Sequence, residues 1–138
     1  MTKYVAFLRG INVGGKNKVP MSDLKKTFES LGFQNVKTLL NSGNVIFEAG
    51  PSTDKVSKLI KTALEKNFKL PAGPIKVLVM TYDQLKTIAK KAPLGFGQTP
   101  AKYYSDVVFL IDVTSGEAFN VFEPNPEVDS VWPGTGVI

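Results

Sequence analysis

The order of strand-like and helix-like runs along the N-terminal part of the chain limits the folds that it can adopt. Residues 3–9 (KYVAFLR) are a short apolar run bounded by glycine, which predicts a buried strand. The next apolar stripe has helical spacing and consists of Met21, Leu24, Phe28 and Leu31. Gly32 is expected to end that helix in the left-handed conformation, which should bring Phe33 against Phe28.

A hairpin and a second helix are predicted next. Residues 35–40 (NVKTLL) and 44–49 (NVIFEA) are strand-like runs on either side of NSGN, residues 41–44. Asparagine and glycine tolerate positive φ, so NSGN predicts a hairpin turn. Residues 52–68 carry a second helical stripe, which consists of Val56, Leu59, Ile60, Ala63, Leu64 and Phe68.

The fourth strand completes an element order that is typical of one fold class. Residues 75–80 (IKVLVM) predict a fourth strand, and Thr81 and Gln84 form a capping box for a helix over residues 82–91. The resulting order, β-α-β-β-α-β, is the split βαβ or ferredoxin-like arrangement of an α+β fold, here over residues 3–80.

The C-terminal part of the chain has a less regular pattern. Residues 106–113 (DVVFLIDV) predict a strand, and residues 114–123 predict a short helix. Residues 127–132 and the final GVI are interpreted as strands around PGTG. The last strand stops after two residues, and an arm this short cannot pair well. The sequence is therefore interpreted as a fragment of a longer protein; the alternative is a two-residue edge strand that ends the domain.

Composition excludes several classes of protein. The 138 residues fit one domain and include no cysteine and no histidine. A disulfide framework, a Ser-His-Asp triad and an ordinary zinc site are excluded, and neither a metal nor a cofactor is expected. No apolar run approaches the roughly 18 residues that cross a membrane, and no signal-peptide pattern is present, so a cytoplasmic location is expected.

Residues 8–20 (LRGINVGGKNKVP) contain a glycine-rich loop with basic side chains. Gly10, Gly15 and Lys16 fit the phosphate-loop pattern G-x-x-x-x-G-K, but Asn17 stands where a Ser or Thr would hold magnesium. The next helix begins beyond NKVP instead of at the lysine, so its dipole is not aimed at the loop. These departures argue against a phosphate-loop nucleotide site.

A looser anion-binding loop is the leading functional prediction. The net charge of +5 favours anionic partners, and Arg9 is the only arginine among 17 basic residues. The candidate ligand-binding residues are Arg9, Gly10, Asn12, Gly14, Gly15, Lys16 and Lys18. The ligand would be an anionic small molecule, such as a nucleotide, or a nucleic-acid phosphate. The competing interpretation assigns the glycines to loop geometry, the lysines to solubility and Arg9 to loop carbonyls.

Ser42, Gly43 and Asn44 form a second polar cluster, which the hairpin turn already explains. The first and third strands are taken to run parallel in a split βαβ sheet. That direction would separate the turn from the glycine-rich loop by about 20 Å, which is roughly six residues at 3.3 Å each. The two clusters are therefore not expected to share one site.

Two other functions stay open at this stage. A phosphoryl-transfer enzyme would place Lys16 on phosphates and Asp112 on a metal ion. A structural module without a ligand would instead use its sheet edges to associate, and the oligomeric state is left undetermined.

Two short motifs also carry a resemblance to a known family. LRGINVGG and SGNV, within residues 4–47, closely resemble the opening of the bacterial domain of unknown function 1697, and a weaker likeness continues to VWPGTGVI. The resemblance implies an α+β fold with two ferredoxin-like halves, here residues 1–80 and an incomplete half over residues 81–138. It also implies that the last segment of the family is missing, and it brings no established activity.

Overall fold

The computed structural model describes residues 1–41 and 43–138. They form two compact units, residues 1–84 and residues 85–138. The first unit contains β1 (Thr2–Arg9), α1 (Met21–Ser30), β2 (Gln34–Leu39), β3 (Asn44–Ala49), α2 (Thr53–Asn67) and β4 (Lys76–Thr81). The helix α3 (Tyr82–Lys90) begins in the first unit and ends in the second, which also contains α4 (Ser115–Val121). The prediction of an α+β fold is confirmed.

The four strands form one antiparallel sheet in the order β2-β3-β1-β4. β1 pairs with β3 on one side, where Phe7 lies opposite Asn44, and with β4 on the other, where Arg9 lies opposite Lys76. The expectation that the first and third strands are parallel is wrong. The crossover through α1 makes β1 and β2 parallel, and the hairpin then reverses the chain, so β3 must run against both neighbours.

The helices α1 and α2 pack on the same face of the sheet, since Leu24 of α1 and Ile60 of α2 belong to one apolar core. The side chains of each strand alternate between the two faces of the sheet. In β1, Tyr4, Ala6 and Leu8 belong to the main apolar core. Phe28 of α1 and Phe47 of β3 are fully buried in that core, with ring centroids 5.2 Å apart. Arg9 has the opposite parity and therefore belongs to the face opposite to α1 and α2.

The predicted helix ends agree with the structure. Gly32 has a φ of +83° after the last turn of α1, and the rings of Phe28 and Phe33 meet edge to face at 5.9 Å. At the start of α3, the Gln84 N–H donates to Thr81 Oγ1 at 3.1 Å, and the Thr81 N–H donates to Gln84 Oε1 at 2.8 Å. None of the described helices combines the length and apolar character needed to cross a membrane.

The second unit departs from the strand predictions. The predicted helix over residues 114–123 is present as α4, and its N-cap Thr114 accepts a hydrogen bond from the Glu117 N–H at 3.1 Å. Residues 106–113 form no regular strand and contribute only a bridge between Phe109 and Val137. Residues 127–132 form no strand either, so the final residues pair with 108–110 instead of closing a hairpin with 127–132.

Replacing Phe28 by Ala is expected to destabilise the first unit by about 3–5 kcal/mol, because the removed ring leaves a cavity between two other aromatic rings. Urea unfolding followed by far-UV circular dichroism measures the change. Tyr104→Ala is the matched control, since Tyr104 is fully exposed and should change the free energy of unfolding by less than about 0.5 kcal/mol. Equal losses in the two variants would contradict the assignment of Phe28 to the core.

Candidate functional site

Three connections of the first unit meet at one end of the sheet, which we call the loop end. They are the β1–α1 loop (residues 10–20), the β2–β3 turn and the α2–β4 loop (residues 68–75). The Leu8 N–H donates to the Gly43 carbonyl at 3.1 Å, so the turn lies beside the end of β1. The predicted separation of the two polar clusters is therefore wrong, because it rested on the wrong direction for β3. Ser42 lies outside the described residues.

Asn12 joins the β1–α1 loop to the β2–β3 turn. Its side-chain amide donates to the Val19 carbonyl at 3.0 Å and to the Asn41 carbonyl at 3.2 Å. Its side-chain oxygen accepts from the Val19 N–H at 2.8 Å. Asn12 has a φ of 53°, a left-handed conformation that asparagine tolerates better than most residues. These bonds give Asn12 a structural role in the loop.

Asn17 joins the same loop to the α2–β4 loop and is 3% exposed. Its side-chain amide donates to the Gly10 carbonyl at 2.9 Å and to the Gly73 carbonyl at 3.1 Å. The Ala72 N–H donates to its side-chain oxygen at 3.1 Å. The buried Asn17 side chain thus supplies both donors and the acceptor for three backbone groups of the two loops. This position would hold magnesium in a phosphate loop, but here its side chain faces the protein backbone.

A tight turn forms the tip of the β1–α1 loop. The Lys16 N–H donates to the Val13 carbonyl at 3.0 Å across Gly14 and Gly15, which have φ values of 58° and 73°. Positive φ at both central positions is the requirement of a type I′ turn, which glycine meets without strain. The helix α1 begins only at Met21, so the loop lacks the lysine-to-helix junction of a phosphate loop.

Gly43 is required by close packing between the turn and the end of β1. A Cβ atom at this position would lie 2.6 Å from Ile11 Cδ1 and 2.9 Å from Leu8 Cβ. The φ of Gly43 is +81°, which side chains other than glycine rarely adopt. The predicted second cluster therefore contributes a structural glycine to the loop end.

A groove of about 570 Å³ opens between the β1–α1 loop, α1 and the end of α2. Its lining includes Gly15 and Lys18, two of the predicted ligand-binding residues, and adds Lys69 and Asn67. Lys69 was missed by the sequence analysis because only the strand order brings the α2–β4 loop beside residues 10–20. Asp23 is the one acidic residue in the lining. The groove is open to solvent over much of its extent.

The remaining predicted cations do not line the groove. Arg9 is exposed on the face opposite to α1 and α2, directly opposite Lys76 of β4. Lys16 is exposed at the tip of the β1–α1 loop, and Gly10 is exposed at its start with a φ of 91°. The structure thus brings the predicted residues to one end of the sheet, but it distributes their charges over both faces.

Charge is unevenly divided between the two units. Residues 1–84 contain 13 basic and 6 acidic residues, a net charge of +7, whereas residues 85–138 contain 4 and 6, a net charge of −2. Asp112, the metal-binding residue of the phosphoryl-transfer hypothesis, belongs to the acidic unit and Lys16 to the basic one. Across residues 1–41 and 43–138, no three acidic side chains cluster in a way that could hold a metal ion.

Comparison with known proteins supports the resemblance in the sequence. A family model described as a protein of unknown function (DUF1697) matches residues 1–138. Among solved structures, the chain is similar to the conserved bacterial protein SP0830 from Streptococcus pneumoniae, with 22% identity and a TM-score of 0.67. The match covers 86% of this chain and 63% of that chain, and at this identity it shows the fold alone. Comparison with curated proteins gives no match.

Replacing Gly43 by Ala should destabilise the first unit by about 2–4 kcal/mol, because the added methyl group meets Leu8 and Ile11 at a positive φ. Gly14→Ala is the matched control. It shares a positive φ but has nothing within 4 Å of the added atom, so only the conformational cost of about 1–2 kcal/mol applies. Denaturant unfolding of both variants tests the packing argument, which fails if the two losses are the same.

Replacing Asn17 by Asp should cost about 2–4 kcal/mol at neutral pH, since a buried carboxylate cannot donate to the carbonyls of Gly10 and Gly73. Asn120→Asp makes the same chemical change at an exposed position of α4 and should cost less than about 0.5 kcal/mol. Thermal and urea unfolding measure both variants. A small loss at Asn17 would show that the two bridging donors contribute little.

Proposed function

The chain belongs to the DUF1697 family of proteins of unknown function, and we propose that its first unit binds a phosphate-bearing ligand at the loop end. The observation that carries the proposal is the groove, in which Lys18 and Lys69 face the same space from two different loops. Ammonium groups are strong donors to phosphate oxygens, and a concave site with two of them concentrates positive potential.

The loop end is also built to keep its shape. Asn12 and Asn17 join the β1–α1 loop to both neighbouring connections through side-chain hydrogen bonds. A ligand that binds to loops already held in place loses less free energy to ordering them than one that binds to flexible loops. The glycines and asparagines of the predicted site therefore act through the backbone geometry, and the lysines supply the contacts.

The proposal extends to the domain organisation and the location of the protein. Residues 1–80 are a ferredoxin-like domain, and residues 81–138 are part of a second ferredoxin-like half. The order β-α-β-β-α-β and the strand order β2-β3-β1-β4 support the first assignment. The protein acts in the cytoplasm, an assignment supported by a sequence without cysteine.

Titration with pyrophosphate tests the function in its simplest form. Isothermal titration calorimetry should show binding to the unmodified chain, and the double variant Lys18→Ala/Lys69→Ala should weaken it by about a hundredfold or more. Each lost charge-assisted hydrogen bond contributes about 1.5–3 kcal/mol, and 1.4 kcal/mol corresponds to a factor of ten.

The matched control is Lys55→Ala/Lys58→Ala, which removes the same charge from an exposed face of α2 and lines no part of the groove. Equal weakening in the two double variants would assign the effect to net charge and overturn the groove as the site. Circular dichroism of all three proteins confirms that the fold is retained. Magnesium-dependent release of phosphate from nucleoside triphosphates would favour the phosphoryl-transfer enzyme instead.

A further inference from the structure

We infer that the phosphate-bearing ligand is an extended chain of phosphate groups that crosses the loop end from one face of the sheet to the other. The inference rests on the proposed function and names the class of ligand. It follows from the positions of two pairs of cations: the groove pair, Lys18 and Lys69, and the strand pair, Arg9 and Lys76.

The strand pair is an arrangement that the fold itself disfavours. Arg9 and Lys76 are directly opposite each other in the β1–β4 register, and like charges at such positions are destabilising. Among the described residues, neither Arg9 nor Lys76 forms a salt bridge; the salt bridge of the first unit between Lys25 and Glu29 lies within α1. Two exposed, adjacent and uncompensated cations form a site that an anion would stabilise.

The two pairs lie on different faces of the sheet. Lys18 and Lys69 line the groove on the side of α1 and α2. Arg9 has the parity of the face opposite to α1 and α2, since it alternates with the core residue Leu8, and neither member of the strand pair lines the groove. A small molecule seated in the groove would leave the strand pair without a partner, whereas a chain of phosphates can contact both pairs.

The sequence of the three loops favours recognition of the phosphate backbone over recognition of bases. Phe68 is their only aromatic residue, and its side chain packs against the core. Binding of bases by stacking requires exposed aromatic side chains. The loop end therefore favours a ligand that it recognises through its repeated negative charges. The two sources of this chemistry are a single-stranded nucleic acid and linear inorganic polyphosphate.

The salt dependence of binding tests the inference. Fluorescence anisotropy is measured across a sodium chloride series with an oligothymidylate of about 20 nucleotides and, in competition, with linear polyphosphate of similar length. The proteins are the unmodified chain, Arg9→Ala/Lys76→Ala, Lys18→Ala/Lys69→Ala and the control Lys55→Ala/Lys58→Ala. Each phosphate contact contributes about 0.7 to the slope of log K against log salt for single strands.

Both pairs should act on the same phosphate chain. Removing either the strand pair or the groove pair should reduce the magnitude of the slope of log K against log salt by about 1.4, and the control variant should leave this slope unchanged. Only loss of the groove pair should weaken pyrophosphate binding. Whichever phosphate chain shows this dependence on both pairs supports the inference, and the comparison of the two chains identifies the source.

The possible failures can be told apart. If loss of the strand pair leaves the slope unchanged while loss of the groove pair still weakens pyrophosphate binding, the extended ligand is wrong and the proposed function stands. If the unmodified chain binds none of the three probes, the proposed function fails together with this inference.

Discussion

The antiparallel pairing of β1 with both of its neighbours determines which parts of this molecule can meet. Because β1 lies in the centre of the sheet, its C-terminal end is beside the start of β3 on one side and the start of β4 on the other. The β2–β3 turn and the α2–β4 loop, which are distant in sequence, therefore flank the loop that follows β1. The contacts between the three connections depend on that single arrangement of strands.

The sequence motifs of the loop separate into two groups once these contacts are known. Asn12, Asn17 and Gly43 are explained by hydrogen bonds or close packing, and Gly14 and Gly15 by a type I′ turn. The cations are not explained in this way. Exposed lysines stabilise a fold little, and the adjacent charges of Arg9 and Lys76 oppose it. The structural residues shape the surface on which the cations are displayed.

Most of the first unit could be predicted from the sequence, because its signals are local. Helical periodicity, the capping box of Thr81 and Gln84, and the glycine that ends α1 each depend on residues a few positions apart. The direction of β3 relative to β1 could also have been deduced from the crossover and the hairpin. The expectation of parallel strands instead placed the β2–β3 turn and the β1–α1 loop at opposite ends of the sheet. Lys69 had no local signal, since its role depends on the strand order.

The strand pairing of the second unit could not be predicted from local signals. Residues 106–113 have the apolar, β-branched composition of a strand, but a strand exists only where a neighbour supplies hydrogen bonds along its length. Here Val108 and Leu110 form a few backbone hydrogen bonds with Gly136 and Ile138. Composition predicts the capacity to pair, and it contains no information about where a partner lies in the fold.

The asparagine bridges also determine how the loop end moves. Loop amides normally exchange their hydrogens with water quickly, because they open without disturbing the rest of the structure. The Val19 and Ala72 N–H groups instead donate to asparagine side chains that are bonded to other loops. Opening any one connection therefore breaks bonds in its neighbours, and the three should open together as one cooperative unit with the slow hydrogen exchange of the adjoining sheet.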